Sequence, residues 1–422
     1  MIITVTSGDT LYSLSEKYTI PISKIVSDNG IINNTLIVGQ SLFIGIPKSS
    51  FITPEATTVS RISNENNTDN KQVFRNNYFL KGNENIPKDS YIVISYEQTP
   101  TTEKIIGGYA YDFISIQRLS SVINYLTYII PFTYGFNSEG TLIKPDDNYI
   151  LDEAEKYSVK KLMHISTLTD GGTFDSNLPS LIFDNPIARS NLIDNILVET
   201  LVKDYSGVDI DFEYLPESEK EKYSDFISEL SERLHSDGKI LVVAVPPKTN
   251  DEQNGLLVEG IDYEALGKSA DYIMIMAYEY GYKFGPPLAI APENQVRKVL
   301  DYAITRIPQS KILLGISNYG YDWTLPYVRG VSDAPSISTV EAIELAKKYG
   351  AEIMFDTEAS APFFFYTDEE GNVHEVWFED ARSFRAKINL IEEYNLPGGF
   401  IWDLMRENPQ GFVTINSLID IK

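Results

Sequence analysis

The sequence predicts an α/β chain whose larger part is a closed (β/α)8 barrel carrying a small α+β insertion, preceded by one or two small βααβ modules. Three observations lead there. Eight short apolar runs alternate with helix-length stretches, the pattern of parallel strands covered on both faces. The chain has 422 residues, and a barrel of ~250 leaves room for additional modules. Finally, Gly207 to Leu215 alternates apolar and acidic residues as a strand with one covered face and one enclosed acidic face would.

In chain order, Ile2 to Thr6 reads as a strand, and Ser7-Gly8-Asp9-Thr10 breaks it and caps a helix from Leu11 to Tyr18. Pro21 opens a second short helix with Ile22, Ile25 and Val26 on its apolar face. Asn29-Gly30 ends it, and Gly39 to Ile44 returns as a strand. The Gly8-Asp9-Thr10-Leu11 turn, the central Asn29 and the closing Gly39-Gln40-Ser41-Leu42 resemble a LysM module, here residues 1–48. LysM modules bind glycans containing N-acetylglucosamine. The resemblance therefore implies glycan contacts at Gly8, Asp9, Thr10, Leu11, Asn29, Gly30 and Ile31.

A repeat follows at an offset of 49 residues, aligning Ile37 to Ile44 with Ile86 to Val93 and Ile25 with Phe74. It lacks the Gly-Asp-Thr-Leu turn, and Ser63 to Asn70 is polar and Asn-rich. Residues 49–97 are thus expected to form a degenerate second LysM module, joined by a linker over Glu97 to Glu103.

The remainder, 98–422, carries the barrel. Strands are expected over Ile105–Tyr111, Tyr125–Phe136, Lys161–Ser166, Val208–Tyr214, Leu241–Val245, Tyr272–Tyr278, Ile312–Ser317 and Gly399–Trp402. Between the last two, Ser338-Thr339-Val340-Glu341 is a capping box for a helix reaching Tyr349. Three short strands after it, Glu352–Asp356, Phe363–Thr367 and Val373–Phe378, make the insertion span about residues 324–380.

The fourth strand lies between candidate helices at Arg189–Tyr205 and Glu217–Ser236, as a central parallel strand should. Val208, Ile210 and Phe212 face one way, and Asp209, Asp211 and Glu213 the other. Same-side carboxylates on a strand stand about 7 Å apart, so burial and mutual repulsion raise their pKa values. That is how a carboxylic acid stays protonated at neutral pH. A solvated edge strand is the alternative.

Asp209-Ile210-Asp211-Phe212-Glu213 resembles the signature of the family 18 glycoside hydrolases, Asp-x-x-Asp-x-Asp-x-Glu at the end of the fourth barrel strand. Ser206 stands at the first position, which would leave the proton relay one carboxylate short. Met276-Ala277-Tyr278-Glu279 is similar to the family's Met-x-Tyr-Asp, with Glu as the final acid. The resemblance implies catalytic roles for Glu213, Asp211, Asp209 and Tyr278, and substrate contacts from Trp402, Glu279, Asn318, Tyr319 and Tyr109. It also implies substrate-assisted chemistry, in which Glu213 is acid and then base, while the sugar's own acetamide, held by Asp211 and Tyr278, is the nucleophile. Asp209 would share a proton with Asp211.

Composition excludes other classes. A net charge of −25 without a basic block argues against nucleic acid. Cysteine is absent, so disulfides and thiol catalysis are out. The three histidines, His164, His235 and His374, lack ligand spacing, so no metal or cofactor is expected. No run of about 18 apolar residues suggests membrane insertion, and the N-terminus starts as a strand rather than an export signal. Oligomeric state is left open.

LysM repeats before such a barrel, with Tyr278-Glu279-Tyr280-Gly281-Tyr282 and Gly285-Pro286-Pro287, resemble the cortex-lytic N-acetylglucosaminidases of spore-forming bacteria. The implied function is cleavage of peptidoglycan strands in the spore cortex during germination. The implied location is the spore coat and cortex region, after synthesis in the mother-cell cytoplasm. A chitinase or chitooligosaccharidase, or a non-catalytic glycan-binding coat protein, are the alternatives.

Overall fold

In the computed structural model, which describes residues 1–45 and 103–422 and the backbone of the strands Val59–Ile62 and Tyr91–Ile94, the eight apolar runs pair in parallel. The barrel strands are Glu103–Tyr111, Tyr128–Phe132, Lys160–Ser166, Gly207–Asp211, Ile240–Val245, Tyr272–Ile275, Ile312–Ser317 and Gly398–Trp402. Each pairs with its neighbours in sequence, and the eighth closes on the first, with Gly398 opposite Ile105 and Ile401 opposite Gly108. Closure leaves the ring no edge.

Strand alternation divides the side chains between two cores. Val208, Ile210 and Phe212 point outward and pack with Tyr223, Phe226 and Ile227 of the helix Lys220–Ser236. Inside the ring, Ile105, Tyr109, Tyr128, Ile130, Leu162, Val242, Met274, Leu313 and Phe400 fill the lumen. Polar inward positions, among them His164, Asp209, Asp211 and Ser317, lie toward the C-terminal ends of their strands.

Several strands are shorter than their apolar runs. Ile123–Tyr125 is a 3-10 turn, and Gly135–Phe136 leaves the barrel to pair with Leu142–Ile143, so the second strand spans less than Tyr125–Phe136. The fourth strand stops at Asp211 rather than Tyr214, whose φ of +57° turns the chain away. The sixth stops at Ile275 rather than Tyr278, ahead of Glu279 with φ +65°.

After Ser317 the chain enters the insertion, a five-stranded sheet in the order Ser336–Ile337, Gly320–Leu325, Val373–Trp377, Ala361–Thr367, Met354–Asp356. Gly320–Leu325 pairs antiparallel with Val373–Trp377, which starts the insertion ahead of residue 324. Its helix, Thr339–Tyr349, opens on the expected capping box. The Ser338 hydroxyl accepts from the Glu341 N–H at 3.1 Å, and the Glu341 carboxylate accepts from the Ser338 N–H at 2.7 Å.

The N-terminal module has the order Ile2–Thr4, helix Leu11–Tyr18, helix Ile22–Asn29 and Ser41–Phe43, its two strands antiparallel. Val5, Leu11, Leu14, Ile20, Ile25, Ile31, Leu42 and Ile44 make its core. Asn29 ties the second helix to the second strand, donating to the carbonyls of Ile25 and Phe43 at 2.8 Å and accepting from the Phe43 N–H at 2.6 Å. The remaining parts of residues 46–102, with the degenerate repeat and the linker, lie outside the described residues; Val59–Ile62 and Tyr91–Ile94 pair antiparallel.

The module packs against the barrel body. Ser41 Oγ donates to Gln410 Oε1 at 2.5 Å, and the Ile353 N–H donates to the Val38 carbonyl at 3.1 Å. A Cβ on Gly30 would press on Val340 and Pro409. Pro409 and Gln410 open the helix after the eighth strand, and Val340 and Ile353 belong to the insertion. The module is therefore seated at the end of the barrel where the strands finish.

Gly39 is the tightest point of that seat: φ is +85°, and a Cβ would stand 1.7 Å from the Ile353 carbonyl oxygen. Gly39→Ala must separate the two backbones as well as strain its own. Urea unfolding should show a loss on the order of 2–4 kcal/mol. A variant as stable as the native protein would mean that this contact is not made in solution.

Candidate active site

The fourth strand places Asp209 and Asp211 in the lumen near its C-terminal mouth. Asp209 is fully buried, and one of its oxygens accepts a hydrogen bond from the Tyr109 hydroxyl at 2.8 Å. In register beside Asp209, on the third strand, is His164. Its Nε2 lies 3.8 Å from Asp209 Oδ2 and 3.6 Å from Asp211 Oδ2. The Oδ1 atoms of both aspartates have no protein partner. Burial pushes the Asp209 carboxyl up to about 6; the electrostatic influence of the His164 imidazole and the Tyr109 hydrogen bond oppose this, and Asp211 adds to it.

Glu213 reaches the same mouth from the loop beyond the strand, not from the strand itself. Burial first, then repulsion by Asp211 and Glu279, push its carboxyl up to about 8. At neutral pH it therefore carries its proton, as a general acid must. Tyr278, after the sixth strand, is raised well above the ordinary phenol range by burial and by the charges of Asp211, Glu213, Glu279 and Asp209, which keeps its hydroxyl a donor. The seventh strand gives its ring room only because residue 315 is glycine: a Cβ there would come within 2.7 Å of Tyr278 Cε1.

Glu279 is held from two sides, its Oε1 accepting from the Tyr319 hydroxyl at 2.8 Å and the Tyr321 hydroxyl at 2.9 Å. With Tyr214, it is one of two residues beside Glu213 and Tyr278 held in the left-handed region, a conformation that persists where its surroundings dictate it. Half-buried Trp402 ends the eighth strand among the rings of Tyr109, Tyr111 and Phe132, with centroids 4.9 to 6.0 Å away. It presents an aromatic floor beside the carboxylates.

The structure thus brings Asp209, Asp211, Glu213, Tyr278, Glu279, Tyr319 and Trp402 to one mouth. Two residues expected to touch substrate lie beneath it. Tyr109 is 2% exposed and its hydroxyl is taken by Asp209. Asn318 is fully buried, and its amide donates to the carbonyls of Asp403 and Arg406 at 2.8 and 3.0 Å, bracing the loop after the eighth strand.

Ser206 also needs correction. Its backbone bridges the third and fifth strands at their N-terminal ends, accepting from Ile240 and donating to the carbonyl of Lys161. A strand advances ~3.3 Å per residue, so Ser206 is far from Glu213, and its lack of a carboxylate leaves the cluster intact.

In the module, Leu11, Asn29 and Ile31 are core residues, and Gly30 faces Val340 and Pro409. Thr10 caps the first helix through Ser13, and Asp9 accepts from Thr6. Gly8 is open, with nothing near its missing Cβ. Of the positions expected to contact a glycan, Gly8, Asp9 and Thr10 are the ones left outside the core and the seat.

His164 escaped sequence reasoning as a residue of the site. The histidine sits at an inward position of its strand, but only the pairing of Asp209 with His164 reveals what it faces.

Comparison with known proteins places these features in context. Residues 88–407 match the family described as Glycosyl hydrolases family 18, and residues 3–45 match the LysM domain. The cortical fragment-lytic enzyme of Bacillus subtilis (strain 168) is 37% identical over 70% of this chain and 69% of its own length. That of Bacillus anthracis is 34% identical over 97% of this chain and 96% of its own. The crystal structure of the Bacillus megaterium spore cortex-lytic enzyme SleL superposes with a TM-score of 0.84 at 32% identity, over 100% of this chain and 98% of the other.

Two outcomes follow from the electrostatics. Removing the Glu279 charge removes one of the influences that raise Glu213, so Glu279→Gln should move the alkaline limb of kcat to lower pH; an unmoved limb would separate the two groups. A carboxyl raised from 4.5 to about 8 takes stability from the fold progressively as pH rises between those values, where only the unfolded chain ionises; the loss is complete above about 8. Glu213→Gln cannot ionise, so its Tm should exceed the native value above pH 8, with the difference vanishing below pH 4.5. Thermal melts across that range measure it.

Proposed function

The chain belongs to family 18 of the glycosyl hydrolases, and from that premise we propose that it cuts N-acetylglucosaminyl β-1,4 bonds in spore cortex peptidoglycan, with retention, by substrate-assisted catalysis. The observation that supports this most strongly is the placement of the acids. In most retaining glycosidases a second carboxylate stands ~5–5.5 Å away, across the sugar from the acid, and acts as the nucleophile. Here Asp209 and Asp211 rise from the strand that leads into Glu213, on its own side of the mouth.

The missing nucleophile is then the substrate's 2-acetamido group. Its carbonyl oxygen attacks C1 as the glycosidic bond breaks, and Glu213 passes its proton to the departing oxygen. Asp211 accepts from the acetamide N–H, and the Tyr278 hydroxyl donates to its oxygen, stabilising the charge of the oxazolinium ring. Glu213, now a carboxylate, takes a proton from the water that attacks C1 and reopens the ring. Two displacements at one carbon retain its configuration. Trp402 lies under the reacting sugar, and Glu279, fixed by Tyr319 and Tyr321, binds a polar group of it.

The acetamide requirement admits any polymer with N-acetylglucosamine before the cut bond. The names of the relatives favour spore cortex over chitin, and the N-terminal LysM match supplies a second means of holding a peptidoglycan strand. The place of action that follows is the spore cortex during germination.

Digestion of purified cortex by the native protein and by Glu213→Gln tests the reading. Fragments with reducing-end N-acetylglucosamine should appear with the native protein, and the variant should be slower by about 10²–10⁴-fold, the usual contribution of a general acid. Muropeptides with unchanged ends, or faster cleavage of chitin oligomers than of cortex, would overturn the assignment of bond or polymer.

A further inference from the structure

The chemistry above leaves His164, which faces the two aspartates, without a task. His164 is 1% exposed, and its imidazole is clamped. The Phe132 ring lies 4.7 Å from it at 35°, and the Tyr109 ring meets it edge-on at 5.4 Å. Nδ1 is 2.6 Å from Thr133 Oγ1, while Nε2 points between Asp209 and Asp211, 3.8 and 3.6 Å from their Oδ2 atoms. The groups around the ring are Tyr109 on the first strand, Phe132 and Thr133 at the end of the second, Ser166 on the third and the two aspartates on the fourth. Asp209 and Asp211 are the only charged groups among them.

That setting determines where the ring holds its protons. Facing two ionised carboxylates, Nε2 carries hydrogen, since a bare lone pair there is repelled; while the pair holds a proton, Nε2 is free to be bare, with the ring hydrogen on Nδ1 beside Thr133 Oγ1. The other end can do either. The Thr133 hydroxyl can donate to a bare Nδ1, or accept from Nδ1–H while turning its own proton toward the Tyr134 carbonyl at 3.0 Å or Ser166 Oγ at 3.0 Å. Neutral and cationic imidazole are therefore both satisfied without moving a heavy atom.

The aspartates need such a neighbour. Each keeps one buried oxygen without a protein partner, and two carboxylates cannot both ionise in this enclosure without a compensating charge.

We propose that His164 is a positioning residue of the hydrolytic site: its Nε2 takes up the proton that the Asp209–Asp211 pair releases, and the positive charge so formed beside Asp211 holds that carboxylate ionised toward the acetamide. This rests on the role proposed for Asp211. With a neutral imidazole whose hydrogen sits on Nδ1, and one proton shared by the pair, transfer of that proton to Nε2 gives imidazolium and two carboxylates. Both negative charges then face the oxazolinium as it forms. The proton returns to the pair when water reopens the ring.

His164→Gln leaves an amide N–H near the place of Nε2 but cannot accept a proton, and so separates proton uptake from hydrogen bonding. The expected result is a KM within about twofold of native, a kcat lower by about tenfold, and an acid limb displaced to higher pH, because the pair must ionise without its counter-charge. An acid limb at the native position overturns the proposal, as does a uniform loss of kcat at every pH, which is what a purely structural role produces. If the variant does not fold, the native protein decides. It has three histidines, so ring 15N shifts can be assigned by substitution of the other two. His164 should be neutral on the activity plateau, where it can accept a proton, and gain a second ring proton across the acid limb; a ring already cationic on the plateau, or one that stays neutral through the acid limb, overturns the proposal. The spectrum needs no substrate, so it remains decisive even if the polymer cut proves not to be cortex.

Discussion

Enclosure of negative charge at one end of a closed barrel is the constraint on which the rest of this structure turns. Asp209, Asp211, Glu213 and Glu279 converge where the strands finish, and Asp209 is wholly out of water. A buried polar atom left without a partner costs about 1–3 kcal/mol, and an ionised one more. The barrel meets that cost in two ways. It surrounds the acids with donors, namely the hydroxyls of Tyr109, Tyr319 and Tyr321 and the imidazole of His164, and it lets Asp209 and Glu213 ionise late. The second response is also what makes Glu213 useful, since an acid that ionised in its ordinary range would have no proton to give at neutral pH.

The same constraint explains features that look unrelated. Gly315 is small because the Tyr278 ring occupies the space its side chain would need. Asn318 is buried where its side-chain amide braces the loop after the eighth strand, satisfying the carbonyls of both Asp403 and Arg406. Beyond the ends of the fourth and sixth strands, Tyr214 and Glu279 take positive φ, so neither segment continues as a strand past the mouth. Local backbone cost at these turns is supported by the packing beneath them, where Phe212 stacks on Tyr223 and Phe226.

The N-terminal module is part of this arrangement rather than a loosely joined addition. Its contacts to Gln410, Pro409, Val340 and Ile353 lie on elements that begin at the mouth of the barrel. A glycan held at Gly8 to Thr10 would be held relative to the carboxylates by those contacts. In such a chain, binding and cutting share one frame, and the orientation lost on binding need not be lost again at the reacting sugar.

Much of this was legible in the residues alone. Period-two alternation assigned Val208, Ile210 and Phe212 to one core and Asp209 and Asp211 to the lumen, and the Ser338 capping box and the helix Leu11–Tyr18 stand where local chemistry puts them. These are short-range rules, written within a few residues of one another. What tertiary structure decided is which residues meet from distant parts of the chain. Only strand register sets His164 beside Asp209, and only closure of the ring places Tyr109 under that carboxylate instead of against a ligand. Ser206, three residues before Asp209 in sequence, lies ahead of the fourth strand and bonds to Lys161 and Ile240 at the starts of its neighbours, away from the mouth that holds Glu213. The sequence determined the charges and the pattern; their partners depend on pairings across tens to hundreds of residues, which no local spacing records.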